Sequence, residues 1–256
     1  QDIHLRSNFV ERWLGLARVL VQTASGNASA ELTLEGLKEF EAVRDFLYER
    51  MRGVKDPVKA AAAPAVAGPG HSELAAALPQ VLAAPRDAAP ISGLCRRPGF
   101  GLRDFPESLM LTGAEGVPGE RWLTAPWLKL PNGSPDPAIQ VSILPLRVLD
   151  LIWRDRAGTV HPGDNIVADL DCSLANLPTG SLIGAGTAVL RVSGEFNDGC
   201  VKWKARYGAD AKAWITAPGH PELRLRGILC SVESDGEIRL GDLNATITPL
   251  SITADG

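Results

Sequence analysis

The sequence predicts a mainly β protein: a β-barrel with a few short helices, preceded by a small hairpin-plus-helix segment and an Ala/Pro-rich linker. Three observations predict it. Beyond residue 90 the chain breaks into short β-prone runs divided by Gly, Pro, Asn and Asp, the texture of an antiparallel barrel or sandwich. Residues 56–90 hold 13 Ala and 6 Pro in 35 positions, with Gly68-Pro-Gly70 among them, and carry no sustained amphipathic period. Before them, two β-prone runs flank a Gly-Asn turn, and a helical period follows. The expected division is 1–55, 56–90 and 91–256.

In the first part, Arg18 to Thr23 and Ala30 to Leu34 flank Ala24-Ser-Gly-Asn27 and read as a hairpin. From Leu34 through Leu37, Phe40, Val43, Leu47 and Met51, apolar residues recur at steps of three and four, with charged residues between them. Gly53 stands where such a helix would stop. Asn8 to Leu16 reads as a turn or short helical piece.

In the linker, His71 to Leu78 is rich in Ala and Leu and can make two helical turns before Pro79 ends them. In the third part the expected strands are Glu107 to Leu111, Ile139 to Leu144, Asn165 to Asp169, Ser181 to Ile183, Thr187 to Val192, Leu223 to Val232 and Glu237 to Leu240. Leu146 to Arg154 and Ala209 to Ile215 read as short helices, and Ser234-Asp-Gly-Glu237 as a plain hairpin turn.

Composition removes several function classes. With 45% hydrophobic residues in 256, the chain can bury one large core or two modest ones. A net charge of -4 and a pI near 5.6 supply no basic field for nucleic acid. No signal-like start and no apolar run of about twenty residues is present, so the expectation is a cytoplasmic protein, peripheral to a membrane only through residues 1–55. The opening Gln1-Asp-Ile-His without Met is the start expected of a trimmed chain or a fragment. The four histidines have no metal-ligand spacing, and neither a Gly-x-Ser-x-Gly elbow nor a phosphate-binding Gly-Lys-Ser loop occurs.

Of the four cysteines, Cys95, Cys172 and Cys230 fall in or beside strand-like runs and are assigned to packing. Cys200 differs. It sits on a Gly-flanked turn, Asn197-Asp-Gly-Cys200, just before Lys202, Lys204 and Arg206. Nearby cations lower a thiol pKa from about 8.5 and favour the thiolate, the form that attacks, carries sulfur or ligates a metal. Asp198 either orients that thiol or opposes its ionisation. Cys200 is the candidate catalytic residue, set against the ordinary fate of a Cys as a small buried hydrophobe.

Gly116-Val-Pro-Gly-Glu-Arg-Trp122, Gln140-Val-Ser, His161-Pro-Gly-Asp-Asn-Ile166, Pro178-Thr-Gly-Ser-Leu-Ile-Gly184, Cys200, Arg226-Gly-Ile and Gly241-Asp follow one another in a characteristic order. This ordered set, over residues 91–250, resembles MOSC domains, the module named for the C-terminal part of molybdenum-cofactor sulfurases. Residues 1–52 resemble the C-terminal half of a bacterial pleckstrin-like domain, without that fold's early strands.

The resemblance implies binding of the molybdenum cofactor (molybdopterin) or handling of sulfur, with Cys200 as molybdenum ligand or persulfide carrier. It implies that Arg121 helps hold the anionic pterin, a role suited to a guanidinium, or else is a surface Arg beside a turn. Glu120 stands where the family usually has Asp. Asn165 meets a pterin edge or fixes a turn, and Gln140 points into the barrel mouth or to solvent. Asn197 and Lys202, flanking Cys200, complete the expected cofactor-binding set. The pyridoxal-phosphate domain of the large sulfurases has no counterpart, so that cofactor is not expected. A sulfur donor or a redox partner protein is, and some relatives reduce N-hydroxylated compounds. The alternative is a non-catalytic adaptor that binds a membrane or partner through residues 1–55.

Overall fold

A computed structural model describes residues 2–6, 17–22, 32–37, 68–199, 201–241 and 246–250. The chain divides into two units. The first contains strands β1 (Asp2–Arg6), β2 (Ala17–Gln22) and β3 (Leu32–Leu37), an antiparallel sheet in that order. Asp2 lies opposite Gln22, and Val19 opposite Leu34, so the expected hairpin strands pair. Two features differ from expectation. Strand β1 was not anticipated, and β3 runs to Leu37 instead of yielding to a helix at Leu34, because Leu37 pairs with Ala17 and that ladder keeps the backbone extended. The Gly-Asn turn, the segment Asn8 to Leu16 and the rest of the expected helix lie outside the described residues.

The second unit is a closed barrel of seven strands. These are β4 (Ala89–Leu94), β6 (Val141–Pro145), β7 (Ile166–Ala168), β8 (Leu182–Ala185), β9 (Ala188–Val192), β10 (Ile228–Ser234) and β12 (Thr246–Leu250). They run in the order β10-β6-β7-β4-β12-β8-β9, and β9 pairs with β10 to close the ring, removing the exposed edges an open sheet would leave. Strands β5 (Ser108–Leu111) and β11 (Gly236–Arg239) form a separate antiparallel ribbon. The mainly β barrel predicted from the sequence is thus the fold.

The period of two explains how β6 and β7 serve two cores at once. Ile143, Ile166 and Ala168 fill the barrel with Leu94, Leu190 and Ile228. Leu144 and Val167 point the other way, into a second core with Leu74, Val148, Trp203, Tyr207 and Trp214. That core is roofed by helices α1 (His71–Leu82), α2 (Leu146–Ile152), α3 (Val201–Tyr207) and α4 (Ala209–Ile215). Strands buried on both faces read as continuous apolar runs, as Val141 to Pro145 does.

Four local expectations are corrected. Helix α1 continues through Pro79 to Leu82; burial of Leu74 and Val81, with α1 packed on α2 and α4, offsets the lost backbone donor. Strand β4 begins inside the segment read as linker, hidden by Pro90 and Gly93, both poor strand formers. Leu223 to Val232 is no single strand: a 3-10 turn at Pro221–Leu223 and a left-handed Arg224 precede β10. Finally, β10 and β11 do not pair as a hairpin. Asp235 instead accepts from the Gly113 N–H at 2.8 Å, and β11 turns away to pair with β5.

Candidate functional site

Antiparallel pairing of β4 with β7, with Leu94 opposite Ile166, brings the residues after β4 and those before β7 to one rim. Cys95 to Arg97 therefore meets His161 to Asn165. Gly163 sits between them at φ 94°, a left-handed conformation that glycine adopts without a steric penalty. A β-carbon there would lie 2.9 Å from Arg97 Cδ and 3.1 Å from Arg103 Nε, so the missing side chain lets two arginines crowd one backbone position.

Each arginine is held from below. Arg97 Nε lies 2.9 Å from Glu120 Oε1, off the hydrogen-bond axis, so the contact is an ion pair. Glu120 Oε2 accepts from the Arg97 backbone N–H at 2.7 Å. Arg103 donates to the carbonyls of His161 (2.8 Å) and Pro162 (3.4 Å). Burial pushes its pKa down, and the positive charges of Arg206 and Arg97 push further, against the nearby Cys95. Arg226, just before β10, donates to Asp164 Oδ1 at 2.8 Å and lies 4.5 Å over the Trp203 ring. Among the described residues, the buried Asp164 Oδ2 and Arg226 Nε have no hydrogen-bond partner.

The residues expected from sequence fall into three groups. Asn165 is wholly buried and spends its amide inside the protein: Oδ1 accepts from Ser142 N–H and Oγ, and Nδ2 donates to Cys95 O and Glu120 Oε2. It holds the carboxylate that holds Arg97. Gln140 is buried too and faces neither solvent nor the rim. Its Nε2 donates to Gly113 O at 2.8 Å and its Oε1 accepts from Val232 N–H at 2.9 Å, tying the 113 turn to β10.

Arg121 is half-buried; its backbone N–H donates to Arg97 O, and its guanidinium lies 4.9 Å over the Phe100 ring. Asn197 donates to Arg226 O at 3.4 Å. Lys202, on α3, is half-buried. Cys200 lies outside the described residues. The turn before it is clamped by Lys212 of α4, whose ammonium donates to the carbonyls of Asp198 and Gly199 and to the Asp198 carboxylate at 3.1 Å. Asp198 is thereby paired with a cation.

Arg97, Arg103 and Lys212 were not found from sequence. The adjacent Arg96-Arg97 after a strand was the available signal, lost because no strand was read before Glu107. Lys212 occupies an unremarkable helical position, and nothing in its neighbours marks it. Arg226 belonged to the ordered motif set without a role attached.

Several guanidiniums gathered at one rim, with two buried carboxylates beneath, make an anion cradle, since a bound anion relieves their mutual repulsion and guanidinium forks suit phosphate and carboxylate. The guanidinium donors of this rim fit the phosphate of a phosphorylated cofactor. Among the described residues, no group of three His, Cys, Asp or Glu could hold a metal ion, and no helix is long and apolar enough to cross a membrane.

No family model matches the chain, and no curated protein matches it. Eight chains of solved structure do. One is a hypothetical protein, 19% identical, with a TM-score of 0.44 over 65% of this chain and 69% of that one. Another is the YUAD protein from Bacillus subtilis, 22% identical, with a TM-score of 0.43 over 60% of this chain and 92% of that one. A third is YiiM from Escherichia coli, 18% identical, with a TM-score of 0.41 over 65% of this chain and 72% of that one.

Proposed function

We propose that this chain binds the molybdenum cofactor or carries sulfur, with Cys200 as molybdenum ligand or persulfide carrier. The observation that carries the reading is the convergence of Arg97 and Arg103 on Gly163, beside the Asp164–Arg226 pair. Arg97, Arg103 and Arg121 would hold the anionic group, while Glu120 and Asn165 keep Arg97 in place. Asn197 and Lys202 complete the set on either side of the thiol. A thiolate is a suitable soft ligand for such a metal, and the bound cofactor supplies a two-electron redox centre suited to reducing N-hydroxylated compounds. As sulfur carrier, the Cys200 thiolate attacks the outer sulfur of a donor protein's persulfide, the donor's S–S bond breaks, and the donor leaves as thiolate.

The test is the molybdenum, pterin and sulfane-sulfur content per chain after expression in a host that makes the cofactor, for the native sequence and Cys200→Ala side by side. Near-stoichiometric molybdenum and pterin, lost in the variant, is the expected result. Sulfane sulfur alone, lost in the variant, selects the carrier form. Absence of all three from both proteins sinks the proposal.

A further inference from the structure

On the far side of His161 from Gly163 in sequence, the loop 154–160 and the segment around Phe105 line an open cleft of about 360 Å³. Small-molecule sites span roughly 300–1,000 Å³, so this one has room for a one- or two-ring ligand. Phe105, Trp153 and His161 form part of its wall. His161 makes edge contacts with Phe105 (centroids 5.2 Å, 89°) and Trp153 (4.9 Å, 77°), so the three rings pack edge to face against one another. Phe105 keeps 59% of its surface exposed, so its ring is accessible from the cleft.

Trp153 and the loop beside it are fixed in place. Trp153 Nε1 donates to Thr159 O at 2.6 Å, and the loop carrying Thr159 is braced by Asp155, which accepts from Gly158 N–H at 2.7 Å and Thr159 N–H at 2.9 Å. Tyr207 OH donates to Val160 O at 2.7 Å, pinning the loop to α3. This wall of the cleft is therefore built before any ligand arrives, which lowers the ordering cost of binding.

The charge is one-sided. Arg103 and Arg156 both line the cleft, and no acidic residue does among the described residues. Arg156 lies 5.1 Å over the Trp153 ring and donates to Asp150 Oδ1 at 2.6 Å, a pairing that a ligand carboxylate has to share. His161 accepts the Gly163 N–H on Nδ1, so the neutral ring carries its hydrogen on Nε2 and offers a donor.

We infer that this cleft binds a small planar aromatic molecule bearing one anionic group, an aryl carboxylate of one or two rings. The ring lies on the Phe105–His161–Trp153 surface and the carboxylate meets Arg156. The inference stands whatever the arginines around Gly163 hold, because Phe105 and Arg156 belong only to the cleft.

Calorimetric titration of the full chain with 2-naphthoate tests it, alongside 2-naphthalenemethanol (same rings, no charge) and cyclohexanecarboxylate (same charge, no aromatic ring). Naphthoate is expected to bind at sub-millimolar concentration and both analogues about fivefold or more weakly. Phe105→Ala and Arg156→Gln are each expected to weaken naphthoate about fivefold or more. Arg191→Gln, at a β9 side chain that pairs with Glu233 of β10 in the barrel, is expected to leave it unchanged. Both cleft side chains are exposed, so these variants fold. No naphthoate binding by the native chain overturns the inference. So does equal binding by native, Phe105→Ala and Arg156→Gln proteins, or by naphthoate and its alcohol.

Discussion

Arg226 and Asp164, 62 residues apart, form a 2.8 Å ion pair in which the carboxylate is only 2% exposed and the guanidinium 13%. Both charges were taken from water to make it, so removing one strands the other. Arg226→Gln is expected to cost about 3–5 kcal/mol, the usual loss when a buried pair is broken from one side. Asp164→Asn combined with Arg226→Gln should cost less than the sum of the single changes. A double-mutant cycle in urea measures this, and strict additivity would remove the coupling claimed for the pair.

The thiols make a second prediction. Cys95, Cys172 and Cys230 are buried, and burial pushes all three pKa values up, to about 12 for Cys95 and Cys230. A thiol that neither ionises nor meets reagent is inert. Native protein titrated with an aromatic disulfide at pH 8 should expose at most one thiol per chain, and Cys200→Ala none. In denaturant both should yield their full count. Prompt reaction in the native variant would contradict the burial of these three.

Sequence periodicity made the strands legible where residues face one core and turns punctuate them, as at Ala188–Val192 in the barrel and Ser108–Leu111 in the ribbon. The helices Leu146–Ile152 and Ala209–Ile215 were legible for the same reason. It failed where tertiary contacts overrule local preference. Pro90 and Pro249 sit in β4 and β12, strands that pair with each other, and Pro79 sits inside α1. The candidate site was half legible. Asn165 and Glu120 stood in recognisable motifs, but which of them meets a ligand and which supports an arginine depends on strand pairing. Arg97 becomes a candidate only once Leu94 is known to lie opposite Ile166.

His161 makes stability depend on pH. Burial lowers its pKa to about 4; Arg103, Arg226 and Arg156 lower it as well, against the pull of Asp164. In the unfolded chain a His titrates near about 6.5, so between those values the unfolded state binds the extra proton. The stabilisation is fully present above that range and is lost as pH falls toward about 4, amounting to roughly 3 kcal/mol at about 1.4 kcal/mol per unit. His161→Gln removes this contribution. The stability gap between native and variant proteins should therefore shrink from pH 7 to pH 4, and a constant gap would refute the buried neutral ring.

Gly163 allows a comparison that separates backbone strain from crowding at the arginines. Gly163 and Gly180 have φ of 94° and 87°, and an Ala at either pays a similar penalty, about 1–2 kcal/mol. At Gly180 nothing lies within 4 Å of the new carbon, whereas at Gly163 it meets Arg97 Cδ at 2.9 Å and Arg103 Nε at 3.1 Å. Gly180→Ala should therefore lower stability and leave anion binding alone. Gly163→Ala should lower stability by at least as much and also push the two guanidiniums apart. With inorganic pyrophosphate as probe, the thermal shift produced by the anion should survive in Gly180→Ala and fall in Gly163→Ala. An equal shift in both would mean that the approach of Arg97 and Arg103 across Gly163 has no part in holding an anion.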